Sequence, residues 1–381
     1  MARERVRVRA RRRKLWLRYL GPVASLLVVL AVVWLYGQLL GQDATTQAPG
    51  AAVPAAALPP ERTAALRPVS LPQDDAPHAT GMEWWYYNGH LRGDNGEDYS
   101  FHVAIFLHDG MVRHTVFHGS LNDHRTGQRF TGQLRTAGIP TEKTVDGFDF
   151  KYEGWRVAGA GALHSLAIHD KNFSIDLDLR DAGQPMLHRA AGSNTPGLLD
   201  FGSGGISYYY SRPRIAARGS VTTAGTRHAV QGEVWFDHQW GDFDGAGLAW
   251  NWFALQMDDG SDLMLYELFD KQGQRVMTTG TVVSAKGVVA LGANDIHLTP
   301  EGNWTSQKTH IGYPAAWQVR LPQGTLNVQP LRADSEFDAL ETTFNVYWEG
   351  AVAVTGAATG KGFLEMSGYD RKQALGRAKV R

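Results

Sequence analysis

Apolar and polar residues alternate with a period of two through one short segment after another, and this limits the fold more than any other feature of the chain. Tyr99, Phe101, Val103, Ile105 and Leu107 alternate with Ser100, His102, Ala104, Phe106 and His108. Phe173, Ile175, Leu177 and Leu179 alternate with Ser174, Asp176, Asp178 and Arg180, and Trp317, Val319 and Leu321 with Gln318 and Arg320. Successive side chains of a strand point to opposite faces, so this is the pattern of antiparallel strands with one face buried. Asn95-Gly96, Thr126-Gly127, Asp259-Gly260 and Gln272-Gly273 separate such segments and are hairpin sequences. No sustained 3.6-residue repeat follows residue 74. The expectation is an all-β fold with few, short helices.

The N-terminus is of a different kind. Residues 1–18 hold nine Arg or Lys and one Glu, so the rest of the 38 basic and 38 acidic residues stand at 29 against 37. The basic block runs directly into LGPVASLLVVLAVVWLYGQLL, Leu20 to Leu40. About 20 apolar residues span a bilayer, and a positive flank stays cytoplasmic. A cleaved signal would carry a shorter apolar core and a small-residue cleavage site. The expected topology is therefore a basic cytoplasmic segment (1–18), a transmembrane helix as signal-anchor (19–41) and a disordered Ala/Pro-rich linker (42–73). The folded part would then lie in the periplasm or outside the cell, tethered to the inner membrane by a single pass. The acidic remainder offers no phosphate-binding face, so no nucleic-acid partner is expected.

An internal echo divides the folded part. Glu83–Gly110 (EWWYYNGHLRGDNGEDYSFHVAIFLHDG) is similar to Leu248–Gly273 (LAWNWFALQMDDGSDLMLYELFDKQG), each with a Trp-rich strand, an Asx-Gly turn and a second strand. Repetition at this scale suggests duplicated domains, placed at 74–245 and 246–370 with a tail at 371–381. Closing each sheet into a barrel removes the exposed edges that so many strands would otherwise leave.

Three clusters carry chemistry. In Glu83-Trp84-Trp85-Tyr86-Tyr87, the residues Glu83, Trp85 and Tyr87 share one strand face, and a carboxylate among aromatics would have its pKa raised by desolvation, as a general acid requires. The bland alternative is a Trp plug with Glu83 paired to an arginine. In Gly232–Gly241 (GEVWFDHQWG), Asp237 and Gln239 face one way and Phe236, His238 and Trp240 the other. In Ile206–Arg214, Arg212 either approaches Glu83 or Asp237, or ends a solvated edge strand. HExxH, Gly-x-Ser-x-Gly, phosphate-loop and dinucleotide patterns are absent from the sequence. His102, His114 and His118 follow no ligand-spacing rule, so no metal and no cofactor are expected.

Glu83–Leu91 (EWWYYNGHL), Gly205–Pro213 (GISYYYSRP), Gly232–Gly241, Trp250–Tyr266 and Tyr347–Tyr369 together resemble the family of AttH and the carotenoid 1,2-hydratases, or hydroxyneurosporene synthases. The resemblance covers nearly all of residues 75–370. It implies two consecutive lipocalin-like antiparallel β-barrels, hydration of an isolated alkene in some relatives, and Diels–Alder cyclisation in distant fungal ones. It passes the catalytic candidacy to Asp237, His238 and Trp240, and to Tyr266 with a departure, Glu267 standing where Asp is expected. Glu83 joins these as a candidate acid, and Trp84, Trp85, Tyr87, Tyr209, Arg212, Trp250 and Trp252 as ligand-binding residues. The barrels are expected to enclose an apolar lipid or isoprenoid-like ligand, with a membrane-protein partner also compatible with the tether. The functional expectations are a ligand carrier, a cofactor-independent hydratase or isomerase, or a packed scaffold for protein binding.

Overall fold

The computed structural model describes residues 66–141, 146–243 and 245–371. The expected basic segment, membrane span and most of the linker lie outside them. Among the described residues no helix is long and apolar enough to cross a membrane. The described residues form one compact unit, built on two large antiparallel sheets.

The first sheet contains β1 (Met82–Gly93), β2 (Asp98–His108), β3 (His114–Asp123), β4 (Gln128–Ala137), β5 (Phe148–Tyr152), β6 (Trp155–Ala160), β7 (Leu163–His169), β8 (Phe173–Arg180), β9 (Met186–Leu187), β10 (Leu198–Asp200), β11 (Gly205–Thr223) and β12 (Thr226–Phe243). Its order is β4-β3-β2-β1-β12-β11-β8-β7-β6-β5, with β9 and β10 also on β11. In a flat sheet β4 and β8 would stand roughly 29 Å apart, six strand spacings of about 4.8 Å. Yet the rings of Phe130 and Phe173, one on each, are 6.4 Å apart, and Thr141, just beyond β4, bridges to Phe150 of β5. The sheet therefore curls almost closed. Trp155 of β6 lies across Gly119 and Gly132, which are cross-strand partners. A Cβ at either glycine would meet the indole at 2.8 or 2.9 Å.

The second sheet contains β13 (Ala249–Met257), β14 (Asp262–Phe269), β15 (Arg275–Ser284), β16 (Gly287–Leu291), β17 (His297–Glu301), β20 (Ala316–Leu321), β21 (Gly324–Pro330), β22 (Glu336–Ala339), β23 (Asn345–Gly356) and β24 (Gly360–Ser367). The short β18 (Trp304–Thr305) and β19 (Gly312–Tyr313) pair apart from it. Its order, β16-β15-β14-β13-β24-β23-β21-β20-β17, repeats the plan of the first. In both, a four-strand meander opens the sheet and its first strand pairs with the last: β1 with β12, β13 with β24. The two halves of the sequence echo thus hold equivalent places. The folded part is nearly all β, two lipocalin-like barrels that are nearly closed or half-closed.

The hairpin glycines Gly96, Gly127, Gly260 and Gly273 all have φ between 68° and 85°, the left-handed region their turns require. Strand β8 alternates buried and exposed, as a half-buried strand should. Strand β2 does not: Ser100, His102 and Ala104 are buried along with Tyr99, Phe101 and Val103. The physical reason is that the second barrel covers the outer face of the first. A seam cluster including Tyr86, Ala104, Tyr209, Trp235, Trp252, Tyr266 and Phe363 joins β1, β2, β11 and β12 to β13, β14 and β24. The interior of the first barrel is filled by Trp85, Tyr87, Phe101, Phe117, Trp155 and Phe236 rather than hollow.

Candidate functional site

The alternation of β1 and β12 sends the expected site residues to two places. Into the first barrel point Glu83, Trp85, Tyr87, His238 and Trp240. Glu83 pairs across the strands with Trp240, and Trp85 with His238. Glu83 Oε1 lies 2.7 Å from His78 Nδ1 and 2.8 Å from His238 Nε2, and Oε2 accepts the His78 backbone N–H at 2.8 Å. The His78 ring stacks on Trp240 at 4.1 Å and the His238 ring on Trp85 at 4.4 Å. Burial drives the Glu83 pKa up, but hydrogen bonds from the two imidazoles outweigh it and hold it below the usual glutamate value. Glu83 is thus neither the neutral acid nor the arginine partner that its sequence context suggested. The donor atoms of His78, Glu83 and His238 lie within 4.8 Å of one another, and they are engaged as a hydrogen-bonded triad. Tyr87 is bound to His164, its hydroxyl 2.7 Å from Nδ1.

Arg212 reaches neither Glu83 nor Asp237. It is buried on β11, opposite Phe236 of β12, and bonds Asp181 at 2.8 Å, with Asp75 at 3.8 Å. Arg214 turns the other way and crosses to Asp262 of the second barrel at 2.9 Å. His118 contacts Tyr347 and Thr342, and His102 contacts Ser120, so neither is held as part of a histidine cluster.

The other expected residues gather in the seam. Asp237 is 3% exposed. Its Oδ2 accepts the Tyr209 hydroxyl at 2.8 Å, and its Oδ1 accepts the Trp235 indole N–H at 2.7 Å and the Ser211 hydroxyl. Behind Ser211, His188 Nε2 lies 2.7 Å from its Oγ while His188 Nδ1 contacts Thr281 of the second barrel at 2.9 Å. Burial pushes the Asp237 pKa up to about 7 against the pull of the three hydrogen bonds. A carboxyl poised there carries a proton in a large share of molecules at neutral pH, which is the condition for a general acid.

Two cross-strand rows face each other at this point. On the first barrel the row is Ala104, Tyr86, Asp237, Ser211; on the second it is Tyr266, Trp252, Glu365, Glu349. Tyr86 links the rows, donating to Glu349 Oε1 at 2.6 Å, and beside them Trp252 Nε1 donates to the Tyr209 hydroxyl at 2.8 Å. Burial raises the pKa of both Glu349 and Glu365, and their mutual proximity raises that of Glu349 further. Burial also raises Tyr266, helped by the charges of Glu365 and Asp237. Trp84 and Trp250 line the rim of the seam and are partly exposed, as is Glu365. Tyr86, Glu349 and Glu365 were not among the expected residues. The signal for the two glutamates was a lone carboxylate in an otherwise apolar strand, in YWEGAVAV and GFLEMS.

The model of the AttH-like family matches residues 62–369. The chain belongs to the AttH-like family. Kievitone hydratase of Fusarium solani subsp. phaseoli is 23% identical to this AttH-like protein over 321 residues, 79% of this chain and 85% of the relative. Among solved structures, one described as AttH from Nitrosomonas europaea superposes with a TM-score of 0.71 at 24% identity, covering 80% of this chain and 98% of its own. Kievitone hydratase of Nectria haematococca follows with a TM-score of 0.66 at 18% identity, over 81% and 96% of the two chains. The structural likenesses show the same two-barrel fold.

Proposed function

We propose that this AttH-like protein is a cofactor-independent hydratase, tethered to the inner membrane by its N-terminal segment, that adds water across an alkene of an apolar ligand held between its barrels. The observation that carries this reading is Asp237, a buried carboxyl with its pKa near 7 facing Trp252 and Tyr266 across the seam. Asp237 transfers its proton to one alkene carbon. The π-faces of Trp252 and Tyr266 then steady the cation on the other carbon, an effect of about 2 kcal/mol or more away from water. The oxygen of a water molecule bonds to that carbon, and its surplus proton returns to the Asp237 carboxylate, so alkene and water become an alcohol with no other reactant. Ser211, held by His188, and Trp235 orient the carboxyl. The kievitone hydratase relative supports the reaction class, and the basic block before Leu20–Leu40 supports the tether.

The test is incubation of the full-length chain with kievitone and, separately, with an acyclic carotene, reading a product heavier by one water. D237N should lower the rate at least ~100-fold, the low end of what a general acid supplies. Above pH 7 the wild-type rate should fall about tenfold per pH unit as Asp237 loses its proton. Unchanged turnover in D237N would remove the proposal.

A further inference from the structure

Several buried polar atoms in the seam, three residues of the first barrel and one of the second, have no hydrogen-bond partner in the protein, and they lie together. They are Asn88 Nδ2, His102 Nε2, Arg129 Nε and Nη2, and Glu349 Oε2. Asn88, His102 and Glu349 are each no more than 3% exposed. Asn88 and His102 are cross-strand partners in the row next to that of Tyr86 and Asp237. Arg129 pairs with Asn122 in the following row, which continues through Ser100 to His90. The Tyr86 ring stacks on His102, its hydroxyl donates to Glu349, and Arg129 Nη1 donates to the Glu349 backbone carbonyl at 3.1 Å.

An unpaired buried donor costs about 1–3 kcal/mol, so a concentration of them calls for a ligand that completes them. The chemistry of the ligand follows from Arg129. Nε and Nη2 form one edge of the guanidinium, two parallel N–H bonds that match a carboxylate. Arg156 uses that same edge on Asp149, at 2.8 and 2.7 Å. In Arg129 the edge is buried and free of any protein acceptor. Asn88 and His102 add two further nitrogens able to donate. Along the same face His90 lines a cleft of about 550 Å³ between the barrels, in which Arg92 is paired with Asp98 and Lys361 with Glu233.

We propose that Arg129, with Asn88 and His102, forms a subsite for the carboxylate end of an amphiphilic ligand whose apolar part runs along the seam to Asp237. This rests on the hydratase reading for the role of Asp237 but not for the binding itself. Four strand spacings and two rows, four residues along the strand, separate Arg129 from Asp237, roughly 24 Å along the sheet by strand geometry. The substrate class is therefore a long-chain unsaturated carboxylic acid.

The probes are oleate and its neutral counterpart oleyl alcohol, titrated into the full-length chain by calorimetry. Oleate should bind at least ten times more tightly than the alcohol. R129Q should erase that difference with the alcohol unaffected, and R129K should fail to restore it because a lysine has no fork. Should R129Q fold poorly, oleate labelled with carbon-13 at its carboxyl, bound to the wild-type chain, serves instead: its carboxyl pKa should drop on binding. Equal affinity for acid and alcohol, an unchanged oleate affinity in R129Q, or an unshifted carboxyl pKa overturns the subsite. A chain that binds oleate through Arg129 yet hydrates no alkene keeps the subsite and loses the hydratase reading.

Discussion

At the residue scale the decisive contrast is between two carboxylates on opposite faces of one strand pair. Glu83 faces the first barrel's interior, where His78 and His238 hold it charged; Asp237 faces the seam, where neutral donors leave burial in command. Sequence reading put both forward as acids, because a strand's alternation reveals which residues share a face but not who stands opposite them. His78, which settles the state of Glu83, lies outside any strand and carried no signal. Tyr86 offers a test of how the seam is held. Y86F removes the hydroxyl that donates to Glu349 and leaves that glutamate oxygen without its partner. Urea unfolding should show a loss of about 1–3 kcal/mol, the cost of an unsatisfied buried polar group. A change below about 0.5 kcal/mol, the range of ordinary surface substitutions, would mean that the link does not hold the barrels together.

At the scale of elements, the all-β architecture, the hairpin glycines and the repeat of β1–β2 in β13–β14 were all legible in the sequence. The double burial of β2 was not. Its second set, Ser100, His102, Ala104 and Phe106, mixes polar and apolar residues and reads as a solvent face; only the other barrel explains it. The interior of the first barrel was misread as hollow for a related reason. Trp155 and its aromatic neighbours look alike in sequence whether they line a cavity or fill it. Trp155 of β6 packs closely against Gly119 and Gly132, on β3 and β4. G119A places a methyl 2.8 Å from the indole, and overpacking of this kind costs about 1–3 kcal/mol. Denaturation of G119A should show that loss, whereas an unchanged midpoint would show that the indole has room to move.

At the scale of the whole molecule, the barrels act as walls for the groups between them, and stability should carry the imprint of those groups. Burial lowers the pKa of His90 and His164 to about 4 and that of His118 and His188 to about 3. Each is lower in the folded chain than the ordinary value of about 6.5, so each contributes stability that is present above pH 6.5 and is lost as pH falls toward 4. The seam acids run the opposite way. Asp237, Glu349 and Glu365 have folded pKa values above their ordinary ones, so the unfolded chain releases their protons first and stability declines from about pH 4 toward pH 7 and beyond. Melting temperature should therefore peak near pH 6 and fall on both sides, and in D237N the alkaline fall should be shallower. A melting temperature that is flat from pH 4 to 9 would mean that these groups are not sealed in. The most direct probe of the seal is the carboxyl carbon of Asp237 itself, followed by carbon-13 NMR across pH in the folded chain and assigned by its disappearance in D237N. With both barrels closed over it, the carboxyl should titrate near pH 7; a midpoint near 4, the value of an aspartate in water, would contradict a proton-bearing acid between the barrels.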